Sequence, residues 1–83
     1  MSRFDIFNLN QEYASYWLWI DKNQCNIFDI NGNYLYYGLK NDVNTLCFYN
    51  KDEGYFFYGL NYGDSTFQLF DLEGNNIGYA INL

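Results

Sequence analysis

The side chains that could do chemistry in this chain are carboxylates and two thiols. Ten Asp and Glu stand against four Lys and Arg, and histidine is absent. General acid–base work needs a group tuned toward neutrality, which for a carboxylate means burial or a like-charged neighbour. Asp52-Glu53 lies among turn-forming residues, a solvated place that supplies neither. Ser2, Ser15 and Ser65 have no base close in sequence, so nucleophilic catalysis lacks its second member. Cys25 and Cys47 have no metal-ligand spacing and no histidine to join them. Asp29-Ile-Asn31-Gly32-Asn33 and Asp71-Leu-Glu73-Gly74-Asn75 resemble fragments of a calcium loop, yet lack the distal bidentate Glu. Asx turns, in which a side-chain oxygen accepts from nearby backbone N–H groups, account for both. The expectation is a binding protein rather than an enzyme, with no catalytic residue, metal or cofactor.

The elements that position these groups repeat. Residues 24–39, QCNIFDINGNYLYYGL, read as two alternating strands around Asn31-Gly32. A slide of 21 residues returns the unit without insertion. Phe7, Phe28, Tyr49 and Phe70 share one column, and Ile6, Ile27, Phe48 and Leu69 the one before it. Asn8, Asp29, Asn50 and Asp71 follow, then Tyr16, Tyr37, Tyr58 and Tyr79, with Leu18, Leu39, Leu60 and Ile81 closing the pattern. The prediction is an all-β antiparallel meander of four hairpins in a single domain over residues 1–83, with strands at 3–9, 13–20, 24–30, 34–39, 45–50, 55–60, 66–72 and 76–83.

A two-residue turn at Asn31-Gly32 sets Phe28 opposite Leu35 and Asn26 opposite Tyr37. One face then carries the columns of Phe7, Ala14, Tyr16 and Leu18. The other carries those of Phe4 and Ile6, together with Trp17, Trp19, Tyr34, Tyr36, Tyr55 and Phe57. Both faces are apolar or aromatic. Either the sheet curls into a small barrel, or a partner or second copy covers the second face. The six aromatics just named are thus candidates for partner binding or homodimer contact, since Tyr and Trp dominate interface hot spots. Carbohydrate stacking is a further reading of the same residues. Cys25 and Cys47, 22 residues apart, fall on opposite faces, which argues against a disulfide between them.

Charge is distributed unevenly. Hairpin tips alternate between the two ends of the sheet. One end collects Glu12, Asp29, Asp52, Glu53, Asp71 and Glu73 against Lys51 alone. The other holds Asp21, Asp42 and Asp64 against Lys22 and Lys40. A net charge of −6 disfavours direct nucleic-acid binding, because phosphates need cations. It favours a basic protein surface. No apolar run has the length of a signal peptide or a membrane span, so a cytoplasmic location is expected, in a bacterial host if the chain is phage-encoded.

The tracts Phe48-Tyr49-Asn50-Lys51-Asp52-Glu53-Gly54 and Tyr58-Gly59-Leu60, echoed by Tyr37-Gly38-Leu39 and Phe70-Asp71-Leu72-Glu73-Gly74, resemble MORN-type hairpin arrays, including those of small bacterial antitoxin-like proteins. The likeness spans roughly residues 24–79, with a shorter period than that family's and no glycine in the first repeat. It implies a hairpin architecture with a scaffolding or binding role, and no catalytic residues. Size, acidity and missing chemistry together suggest a small inhibitor of a basic, nucleic-acid-handling protein, with a nuclease or CRISPR effector as the expected target. Anti-CRISPR and nuclease-toxin immunity proteins are of this kind. A self-associating scaffold is the competing class. If the acidic tips engage a cationic groove, reversing Asp29, Asp52, Glu53 and Asp71 to Lys is expected to abolish partner binding and leave the fold intact.

Overall fold

The computed structural model describes residues 3–50, 52, 54–63 and 65–82. Eight strands follow in order: β1 Arg3–Asn8, β2 Tyr13–Trp19, β3 Gln24–Asp29, β4 Tyr34–Lys40, β5 Thr45–Asn50, β6 Gly54–Asn61, β7 Thr66–Asp71 and β8 Asn76–Ile81. Each pairs antiparallel with its neighbours, and β1 pairs with β8, so the meander closes into a barrel. Tyr13–Trp19 is strand, as the repeat predicts. Closure buries the second apolar face within the chain itself. The need for a second copy to cover that face therefore falls away.

The turns depart from expectation by one residue, with large consequences. The Asp29 N–H donates to the Asn33 carbonyl at 2.9 Å, and the Gly32 N–H to the Asp29 carbonyl at 2.9 Å. Gly32 has φ +89°. This is a three-residue loop with a left-handed final position, and not the two-residue turn at Asn31-Gly32. The fourth hairpin repeats it through Asp71, Gly74 and Asn75. The first does so with Gln11 at φ 65°, a conformation that L side chains seldom adopt.

Phe28 accordingly faces Tyr34 rather than Leu35, while Asn26 faces Tyr37 as expected. Leu35 is left over as the extra residue of a β-bulge. Ala14, Phe56 and Ile77 take the same role in the other hairpins, each 21 residues from the next. A bulge adds one residue on one strand, bends it and increases its twist. Four of them at one level help a narrow sheet to close. They also shift the side-chain alternation, so Tyr34 and Tyr55 point outward while Tyr36 and Phe57 turn inward.

Eight strands enclose a space that side chains can just fill. Phe4, Cys25, Leu46 and Phe67 form one buried layer; Ile6, Ile27, Phe48 and Leu69 form the next. Between them the column of Trp17 continues as Gly38, Gly59 and Ala80. One indole thus occupies room released by three small residues. Trp17 is 0% exposed and packs on Phe4 at 5.0 Å and on Phe48 and Phe67 at 5.3 Å between ring centroids. A methyl group on Gly38 would lie 2.8 Å from Cys25 Sγ and 2.9 Å from Phe48 Cε1. Burial pushes the Cys25 thiol up to about 12, so it packs as a neutral hydrophobe. Cys47, between the inward Leu46 and Phe48, points to the other side of the sheet and is also buried, and both thiols are free.

Trp17→Ala should cost about 3–5 kcal/mol, the range for emptying a large aromatic site in a rigid core. Denaturant unfolding measures it; a loss under about 1 kcal/mol would mean the indole does not set the interior packing.

Candidate functional site at the acidic end of the barrel

The four odd-to-even hairpins bring their tips to the same end as the bulges. Asn8, Asp29, Asn50 and Asp71 stand at equivalent positions there, and each side chain holds its own turn. Asp29 Oδ1 accepts from the Asn31 and Asn33 N–H groups, both at 2.9 Å, and Oδ2 from the Asn33 side-chain amide at 3.0 Å. Asp71 Oδ1 accepts from the Glu73 and Asn75 N–H groups at 3.0 and 2.9 Å. Asn8 accepts from the Asn10 and Glu12 N–H groups, and Asn50 from that of Asp52. Those at Asp29 and Asp71 are the Asx turns read from the sequence, and Asn8 and Asn50 extend the same device to the other two hairpins.

The backbone N–H of Asn33, followed by its side-chain amide, holds the Asp29 carboxyl below the ordinary carboxylate value. Asn75 does the same for Asp71, again chiefly through its backbone N–H. The two acids thus combine a surface charge with a structural bond. Reversing them to Lys would remove the acceptors that hold two of the turns, so the expected tolerance of charge reversal does not extend to Asp29 and Asp71.

Glu12, Asp52 and Glu73 are exposed at the same tips, while Lys51 and Glu53, assigned to this end by the sequence, lie outside the described residues. Closure bends the expected row of carboxylates into a ring. Among the described residues no lysine or arginine shares it. Lys22 and Lys40 belong to the opposite end, and Arg3 is engaged by Asp5 at 2.9 Å.

The ring surrounds apolar surface that the column pattern contains but the sequence reading passed over. Leu9, Ile30 and Leu72 project from the tips, 60%, 60% and 54% exposed. Below them the mouth is filled on one side only. Tyr36 stacks on Phe56 at 5.1 Å and meets Phe57 edge-on at 5.9 Å. The equivalents across the barrel are small: Ala14 for Phe56, and Ser15 and Gly78 for Phe57. A half-open apolar cavity of about 110 Å3 results, lined by Ile6, Ser15, Ile27, Leu69 and Ile77 among others. Asn8 also lines it, and its amide donates to Glu12 Oε1 at 3.0 Å. The signal in the sequence is the column Ser15, Tyr36, Phe57, Gly78, read for size rather than polarity.

The six aromatics expected to share one face are divided. Trp17 and Phe57 are core, and Trp19 and Tyr36 pack against it. Tyr34 and Tyr55 stand outside, 45% and 44% exposed. The Tyr55 phenol is pushed up to about 12 by desolvation and then by its hydrogen bond with Cys47. The outer surface carries its own pattern instead. Phe7–Tyr79, Tyr16–Phe28, Tyr37–Tyr49 and Tyr58–Phe70 stack as cross-strand pairs at 5.4–5.5 Å, one for each repeat. Such pairs stabilise adjacent strands. They tie each hairpin to the next, including the last to the first.

No protein-family model, curated protein or solved structure matches the chain. The likeness to hairpin-repeat arrays therefore rests on the repeated unit alone. Among the described residues no helix is long and apolar enough to cross a membrane.

A carboxylate with a lowered folded-state value stabilises the fold above its unfolded value and loses that contribution as pH falls through the folded one. Asn occupies the same position in two of the four hairpins, so Asp29→Asn with Asp71→Asn should keep the turns. The double variant should show a shallower fall in stability between about pH 5 and 2 than the parent. Thermal unfolding across that window measures it, and identical curves would show that the two carboxylates do not hold the turns in their charged form.

Proposed function

We propose that this protein is a small binding module that sets the acidic end of its barrel against a basic surface of a nucleic-acid-handling protein. Inhibition of a nuclease or CRISPR effector, as by a phage anti-defence protein or a toxin's immunity protein, is the form of that activity that size and charge favour. The observation that carries the reading is the ring of Glu12, Asp29, Asp52, Asp71 and Glu73 on a closed scaffold. Carboxylates held on short, hydrogen-bonded turns lose little freedom on binding, which favours association through preorganisation. A predominantly negative field also steers a cationic partner and rejects an anionic one. Direct contact with a phosphate backbone is disfavoured by the same field.

The exposed apolar tips beside the acids fit protein recognition better than general solubilisation, since a solubilising rim has no use for Leu9, Ile30 and Leu72 in water. The outer aromatic pairs are accounted for by cross-strand packing, so carbohydrate stacking and self-association gain no support from them. No reaction is assigned.

The test is capture from lysate of the cells that encode the protein, with the parent and with a Glu12→Lys, Asp52→Lys, Glu73→Lys variant that spares Asp29 and Asp71. The parent should retain a basic nucleic-acid-handling protein. The variant should lose it by at least tenfold in affinity, and the parent's association rate should fall as salt rises toward physiological strength, where screening acts over about 8 Å. Equal retention by parent and variant would reduce the ring to a solubilising surface.

A further inference from the structure

We propose that the cavity in the barrel mouth receives one aliphatic side chain of the cationic partner, flanked on that partner by lysine or arginine. The inference rests on the docking reading above and names what the partner must present. Three features of the mouth specify it.

The first is size. About 110 Å3 is smaller than the ~150 Å3 cavity that accommodates benzene in a well-studied core, a size that suits the side chain of Val, Leu or Ile. The second is lining. Ile6, Ile27, Leu69 and Ile77 make it apolar, and Ser15 is the one buried polar side chain among the described residues. A charged or amide tip entering there would lose water for few partners, chiefly the Ser15 hydroxyl and an Asn8 amide already given to Glu12. The third is the lip. Asn8 lines the cavity and holds the Glu12 carboxylate at 3.0 Å, while Ile77 belongs to the hairpin that carries Asp71 and Glu73. The cavity thus lies between two acidic tips, and a residue entering it brings its chain neighbours against carboxylates. A second copy of this chain presents apolar tips of its own, but with the same negative charge around them. Charge complementarity selects a basic partner.

The cavity also owes its existence to departures from the repeat. Gly78 stays small for backbone reasons, since a Cβ there would collide with the Phe7 carbonyl. Ala14 has no such constraint: its equivalents are Leu35, Phe56 and Ile77. A fold that accepts those residues at three bulges accepts Leu at the fourth, so Ala14→Leu fills the mouth without a foreseeable loss of structure.

The experiment titrates 15N-labelled protein with three synthetic peptides, Lys-Lys-Leu-Lys-Lys, Lys-Lys-Ala-Lys-Lys and Glu-Glu-Leu-Glu-Glu, to millimolar concentration. The expected result is that the lysine–leucine peptide shifts the amides of Ile6, Ser15 and Ile77 together with those of the tips. The alanine peptide should shift only the tips and bind about tenfold to a hundredfold more weakly, the range for losing one buried aliphatic side chain. Ala14→Leu, with its amide spectrum otherwise unchanged, should erase that difference. Equal binding of the leucine and alanine peptides at the tips would overturn the cavity proposal and leave acidic docking standing. Entry of the glutamate–leucine peptide into the cavity as readily as the lysine one would overturn the cationic requirement. Failure of both lysine peptides to shift any tip would count against the docking reading itself.

Discussion

A strand sequence that is apolar on both faces has to hide both, and closure of the β1–β8 seam is what makes that possible here. Ile6 meets Ala80 and Phe7 meets Tyr79 across the seam. Inside, this completes the wall around Trp17; outside, it completes the fourth aromatic pair. The seam also explains Gly78, whose missing side chain allows the Phe7 carbonyl to approach. Opening it would expose a row of unpaired backbone groups on each edge and put Phe4, Ile6 and Ala80 in water.

The repeat and its breaches divide the labour. Where the columns are kept, they build the scaffold: bulges at Ala14, Leu35, Phe56 and Ile77, turn-holding side chains at Asn8, Asp29, Asn50 and Asp71, and stacked pairs outside. Where one column is broken for size, it sets what the interior can hold. Trp17 with Gly38, Gly59 and Ala80 fills the middle of the barrel. Ser15 and Gly78 opposite Tyr36 and Phe57 leave the mouth half empty. A symmetric chain of four equal hairpins would have either a full mouth or an empty one.

Much of this could be read from the residues. The 21-residue spacing gave eight strands in order, the Asx turns and the opposite orientation of Cys25 and Cys47, because columns and alternation are local properties. What escaped was the single extra residue in each hairpin. Asn31-Gly32 is equally compatible with a two-residue turn and with the end of a three-residue loop, and only the Asp29–Asn33 pairing distinguishes them. That one residue moved Tyr34 and Tyr55 to the outside and broke up the expected aromatic face. It also made Asp29 and Asp71 part of the turns rather than free charges. Closure itself was one of two outcomes that the pattern allowed, since the β1–β8 pairing links the most distant parts of the chain and leaves no local mark. The cavity was legible in principle, in the sizes at four equivalent positions.

Amide hydrogen exchange by NMR tests the closed barrel most directly. A sealed seam predicts that the β1 and β8 amides facing it, those of Asp5, Phe7, Tyr79 and Ile81, exchange as slowly as those of the pair β4–β5 on the far side of the barrel. Fast exchange confined to the outer sides of β1 and β8, with β4–β5 protected, would show an open sheet with two free edges and contradict the account.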